Sequence, residues 1–137
     1  MMDNPGIYSL GDLAITAAGT QVGEWVTELD GMLAALAQLR LAYGSGGTTI
    51  RAYVQTSLDG GTTAVDIACA LFGAASETAV LNFSALTPKL TQVTPTDGAL
   101  ADDTAVDGVL GDRLRLKVVS TGTYAGSTVL STRIHAR

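Results

Sequence analysis

One histidine and one cysteine bound the chemistry that this 137-residue chain can perform. His135 stands between Arg133 and Arg137 on a strand face that alternation makes exposed. A Ser-His-Asp arrangement needs a histidine oriented by a buried carboxylate and a nucleophile on a turn such as G-x-S-x-G, and neither accompanies His135. A solvated or interface histidine is the expectation. Cys69 lies in the apolar run VDIACALF; a reactive thiolate wants accessible, electropositive surroundings, so Cys69 reads as a small side chain on an inward strand face. The two residues together cannot supply the four ligands of a structural zinc site. Asp97, Asp102, Asp103, Asp107 and Asp112 offer oxygen atoms of the kind calcium takes. Their spacing departs from the D-x-[DN]-x-[DN]-G loop, and a solvated acidic connection is the simpler account. GSGGTT, residues 44–49, lacks the lysine and the following helix of a phosphate-binding loop and reads as a turn. Asp59-Gly60-Gly61 resembles turns of carbohydrate-binding sandwiches, but a glycan site wants aromatic platforms, and the one Trp, four Tyr and two Phe are dispersed. No catalytic residue, metal or cofactor is therefore expected, and the chain reads as non-enzymatic.

Composition narrows the class further. Sixteen glycines and only 15% charged residues suit an all-β domain with many turns. The length fits one domain with a real core, expected over residues 8–137 behind a polar arm at 1–7. A formal net charge of −5 with scattered basic residues argues against nucleic acid, which needs a basic patch or stripe. No apolar run approaches the ~20 residues of a membrane helix, and MMDNPGIYSL has no secretory h-region; synthesis in a cytoplasm is the expectation. A positive mean hydropathy suggests either apolar surface covered by other subunits or the abundance of alanine.

The elements that would position these residues are strands. Residues 48–72, TTIRAYVQTSLDGGTTAVDIACALF, alternate with period 2 on both sides of Asp59-Gly60-Gly61, whose glycines permit the positive φ of a tight hairpin. Ile50, Val54, Val65, Ile67 and Leu71 are expected on one face, packed against Leu114, Leu116, Leu130 or Ile134. SLGDLAITAAG predicts a first strand, and VGEWVTEL a second after a Gly19-Thr20 turn. LDGMLAALAQLRLAYGSGG could be a helix capped by Asp30 and Gly44, but the alternation of Leu39, Leu41 and Tyr43 with Gln38, Arg40 and Ala42 favours a strand. TAVLNFSAL predicts another strand, LTQVTP a short edge strand, and DRLRLKVVS and STVLSTRIHAR the last two. The count, about eight strands, predicts an antiparallel β-sandwich, with a jelly-roll-like arrangement preferred.

Three phrases carry a family resemblance: GSGGTTIRAYVQTSLDGGTTAVDIACALF, PTDGALADDTAVDGVLGDRLRLKVVS and TGTYAGSTVLSTRIHAR. Over the C-terminal two thirds the chain resembles small virion structural proteins of tailed bacteriophages and gene transfer agents, although the family commonly has an aromatic where Ala64 stands. The resemblance implies a jelly-roll-like protein on the particle head, as a capsid decoration or cement protein or the base of a head spike or fibre, with a neck or tail component as the alternative. It implies the major capsid protein or other virion proteins as partners, homo-oligomeric rings or trimers, and location in the virion. Arg113, Arg115 and Arg133 are the interface residues expected under this reading. A carbohydrate-binding β-sandwich module is the competing class.

Overall fold

The computed structural model describes residues 5–137, and it is an antiparallel β-sandwich with no helix among them. Eleven strands occur in the described residues: β1 (Gly6–Ala14), β2 (Gly19–Val22), β3 (Ala34–Ala42), β4 (Ser45–Gly46), β5 (Thr49–Ser57), β6 (Val65–Phe72), β7 (Glu77–Ser84), β8 (Thr104–Ala105), β9 (Arg113–Thr121), β10 (Tyr124–Ala125) and β11 (Val129–Ala136). One sheet runs β1-β11-β3-β7, the other β2-β9-β5-β6-β8, and β4 pairs with β10 in a small ribbon. Neighbours in sequence mostly sit in opposite sheets, so each sheet is built from distant pieces of chain. Met1–Asn4 of the expected arm lie outside the described residues, while Gly6 and Ile7 already belong to β1, opposite Ala136 and His135.

Alternation explains most of the long strands. In β3, Ala35, Ala37, Leu39 and Leu41 are buried while Leu36, Gln38 and Arg40 point outward, so the strand prevails over local helix propensity. Leu114, Leu116 and Val118 of β9 and Leu130, Ile134 and Ala136 of β11 face the same core as Ile50, Ala52 and Val54 of β5. Burying each such Leu or Ile contributes roughly 1.5–3 kcal/mol. Ala35, Ala37, Ala52, Ala68 and Ala70 sit in this core among leucines and isoleucines, the small-against-large filling that lets facing sheets interdigitate. Core alanines thus account for part of the positive hydropathy.

Three expectations need correction. The second strand, Gly19–Val22, starts on Gly19-Thr20, the residues expected to turn; the reversal lies at Ala17-Ala18, whose Ala17 carbonyl accepts the Ser120 hydroxyl at 3.0 Å. VGEWVTEL still follows β9, with Gly23 N–H donating to Leu116 O and Val26 N–H to Leu114 O, both at 2.8 Å. It advances three residues while β9 advances two, and the slack displaces the chain around Trp25 from the ladder. LTQVTP forms no strand, and the short strand of that region is β8.

The third correction concerns the hairpin. Val54 pairs with Ala68 but Gln55 with Asp66, so Ile67 is an extra residue in β6 and the two-residue period changes phase there. Beyond this bulge the core takes Ala68, Ala70 and Phe72, and Cys69 and Leu71 turn to the outer side beside Tyr53 and Arg51. Leu71 is therefore half-buried outside the core, whereas Ile50, Val54, Val65 and Ile67 pack as expected with Leu114, Leu116, Leu130 and Ile134. Cys69 is buried, but not on the inward face.

The extra residue also sets Asp66, outward between Val65 and Ile67, directly opposite Gln55, where residues 96–106 cross the sheet. Its carboxylate accepts the Gln55 amide (2.8 Å), the Thr96 hydroxyl (2.9 Å) and the successive backbone N–H groups of Gly98 (2.8 Å), Ala99 (2.9 Å) and Leu100 (3.2 Å). Asp66 is only 2% exposed. Consecutive N–H groups converging on one anion form a nest, and here the anion is the chain's own. Asp66→Ala should cost about 2–4 kcal/mol in urea unfolding, because it strips several donors of a charged acceptor. It should also raise amide exchange at Gly98 and Ala99; a change within experimental error on both counts would contradict the anchoring role.

Candidate functional site

The two outer sheet faces differ in what covers them. On the β2-β9-β5-β6-β8 sheet the cationic row is engaged by its own chain. Arg115 stacks on the Trp25 ring with its guanidinium carbon 4.4 Å from the centroid, and its Nε–H donates to Gln55 Oε1 at 2.8 Å. Lys117 Nζ meets Asp97 at 2.8 Å, and the same Asp97 oxygen accepts Gln55 Nε2 at 2.7 Å. Arg51 grips Asp102 through Nε and Nη2 at 2.7 and 3.2 Å. Arg113 pairs with Asp112 at 2.9 Å and donates to Gly60 O at 3.2 Å. Arg113 and Arg115, two of the expected interface residues, thus hold the hairpin tip and Trp25 in place.

The acidic connection is fastened by one aspartate at a time. Besides Asp97, Asp102 and Asp112, Asp103 accepts the Leu71 N–H at 3.0 Å, and Asp107 accepts the Ser84 N–H and the Thr87 hydroxyl at 2.6 Å each. The five carboxylates point to different partners, and no group of three or more His, Cys, Asp or Glu that could hold a metal occurs among the described residues. Residues 44–49, read as a turn, connect β3 to β5 but include the short strand β4, which pairs with β10, and a Cβ on Gly47 would collide with the Tyr124 ring. At the hairpin tip Gly60 and Gly61 have φ of 74° and 95°, and a Cβ on Gly61 would stand 2.9 Å from Trp25 Nε1. The tryptophan is therefore flanked by Arg115 and the Gly61 backbone, which leaves it poorly placed as a sugar platform.

Cys69 faces this same side beside β8, where Cys69 pairs with Thr104, with Sγ 4.0 Å from Asp102. Burial and, after it, the Asp102 charge push its thiol up to about 11, so it is protonated at neutral pH.

The outer face of the β1-β11-β3-β7 sheet is open. Its registered rows run Ile7–His135–Leu36–Asn82 and Ser9–Arg133–Gln38–Val80. Ile7, Leu36 and Val80 are 68%, 39% and 55% exposed. Ile7, Leu36, Gln38, Arg133 and His135 line a shallow hollow of about 240 Å³. Arg133 reaches Asp12 at 3.0 Å, and His135 lies between Ile7 and Leu36. Arg133 therefore sits on the opposite sheet from Arg113 and Arg115, so the three do not form one surface. A second recess, about 510 Å³, lies at the end of the sandwich beside Leu58, Leu90, Val109 and Leu110.

Sequence reasoning missed Asp66 and Gln55 as the polar centre of the covered face. The signal was an aspartate inside an otherwise apolar strand, opposite a glutamine. It also missed the open apolar row, because Ile7, Leu36 and Val80 come from three strands that only the tertiary pairing brings together. No family model matches the chain, and no curated protein or solved structure matches it either.

Two outcomes follow from these contacts. Asp97, Asp102, Asp107 and Asp112 are held below the ordinary carboxylate value of 3.8, chiefly by hydrogen bonds from Lys117, Arg51, Thr87 and Arg113 respectively. Each binds fewer protons folded than unfolded, so its stabilisation is complete above the unfolded value and is lost as pH falls through the lowered one. Urea midpoints should hold steady down to about pH 5 and fall below about pH 4, with a shallower acid limb in Asp102→Asn/Asp107→Asn. Cys69 should resist a disulfide reagent at pH 8 until the protein unfolds; stoichiometric labelling of the native state within minutes would show the loop cover to be open.

Proposed function

We propose that this chain is a non-enzymatic structural protein of a tailed-phage or gene-transfer-agent particle, seated on the head as a decoration or cement protein or as the base of a spike. The observation that carries the reading is the contrast between its faces. One sheet face is closed by its own aspartates and cations, and the other presents Ile7, Leu36 and Val80 beside Arg133 and His135. A surface that mixes exposed aliphatic side chains with arginine suits contact with another protein better than turnover of a small substrate.

The strand order supports a jelly roll within the sandwich class. Without the short β4, β8 and β10, the sheets read β1-β11-β3-β7 and β2-β9-β5-β6, each strand but β6 lying in the sheet opposite its predecessor. Capsid and lectin domains use double-sheet arrangements of this kind. Within this reading Arg133 belongs to the contact surface, while Arg113 and Arg115 maintain the fold. The major capsid protein or another virion protein is the partner to seek.

Mass spectrometry of purified particles, followed by a cryo-EM map, tests the assignment. The chain should be present in stoichiometric copies, with density against the head and the β1-β11-β3-β7 face turned to a protein neighbour. Its absence from particles, or micromolar binding to a glycan array by a monomer, would overturn the proposal.

A further inference from the structure

We infer that β7 is a self-complementary edge through which two copies of this chain pair antiparallel, extending the β1-β11-β3-β7 sheet across a two-fold axis at Val80. The backbone at the end of β7 fixes the direction of its free groups. Ala85 N–H donates inward to Leu33 O, whereas Ser84 N–H is taken by Asp107 and Ser84 O by Gly108 N–H, on the side away from β3. Antiparallel ladders alternate, so Asn82, Val80 and Thr78 direct their N–H and C=O groups the same way as Ser84. Among the described residues β7 pairs only with β3, and all three residues are exposed.

The other sheet edges are blunted. β1 carries a bulge between Ser9 and Gly11, with Gly11 at φ 122°. β2 has four residues. β6 is sealed by β8, by Asp66 N–H to Thr96 O and Val106 N–H to Ile67 O, and by Asp103 on the Leu71 N–H. Bulges, shortness and covering loops are the devices that prevent edge pairing. β7 has no bulge, proline or lysine.

The occupant follows from parity. Three outward residues centred on Val80 let a two-fold axis place Val80 against Val80 of the second copy and Thr78 against Asn82, each facing pair exchanging two backbone hydrogen bonds. A β-branched pair then sits at the centre with hydroxyl–amide pairs on both sides. Glu77 and Arg40, which flank Thr78, are carried to opposite ends of the joint ribbon from their own copies, so no like charges are brought face to face. Asp107 and Gly108 stop the pairing beyond Asn82. This pairing concerns the isolated chain and does not depend on where a particle would carry it.

Light scattering on the purified protein at high micromolar concentration should give twice the 14.0 kDa chain mass. Val80→Lys should lose the dimer while keeping the thermal midpoint, since its side chain stays in solvent. Val80→Cys should crosslink under mild oxidation, because a hydrogen-bonded pair brings Cα atoms to about 5.5 Å, within disulfide reach. Thr20→Cys on the β2 edge should not. A monomer at all concentrations, a dimer that survives Val80→Lys, or equal crosslinking at both cysteine positions would overturn the inference.

Discussion

The outer layer of this sandwich depends on a carboxylate that never reaches solvent. Asp66 is set opposite Gln55 by one extra residue, Ile67, and its charge would be costly to bury without partners. Backbone N–H groups from a passing loop supply them. The constraint works in both directions: among the described residues the loop has only the two-residue β8 to order it, and the aspartate forms no salt bridge. Each satisfies the other. Gln55 then extends the network to Asp97 and Arg115, and Arg115 fixes Trp25. A single bulge thus determines how an entire sheet face is covered.

That cover divides the molecule. Nearly every cation on the β2-β9-β5-β6-β8 face is matched by an aspartate of the same chain, which leaves little there for another molecule to recognise by charge. The opposite face retains aliphatic side chains in solvent, and its sheet ends in an unblunted strand. Chain order adds a further asymmetry. β9 and β11, among the last strands made, lie inside their sheets rather than at the edges. Neither sheet can close until the C-terminal segment is available, as expected of a topology dominated by non-local pairing.

Strand identity was largely legible because period-2 alternation reports burial on one face, and β3, β5, β9 and β11 follow it from end to end or nearly so. The reading failed where the period was broken. A bulge at Ile67 is invisible in a run of apolar residues, since VDIACALF satisfies alternation in either phase, and Cys69 and Leu71 were assigned to the wrong face for that reason. At β2 the glycine and threonine resembled a turn, although strand pairing to β9 had a stronger claim on their backbone groups. The covered face was harder still. Its contacts join Arg51 to Asp102 and Gln55 to Asp97 across long stretches of chain, and no local pattern announces such pairs. The open face could be read only in part: His135 and Arg133 were expected to point outward, but their companions Ile7, Leu36 and Val80 could not be joined to them without the register.

Trp25 is the chain's sole tryptophan, and it rests where three separate pieces of the fold meet: the displaced segment after β2, Arg115 of β9 and the Gly61 tip of the β5–β6 hairpin. Its emission is therefore an optical gauge of their docking. A guanidinium over one side of the indole and a glycine backbone beside it set the polarity around it, so separating any of the three pieces changes the colour or yield of the fluorescence. The protein carries its own reporter at the corner where its outer layer is fastened, and local opening there can be followed without a label.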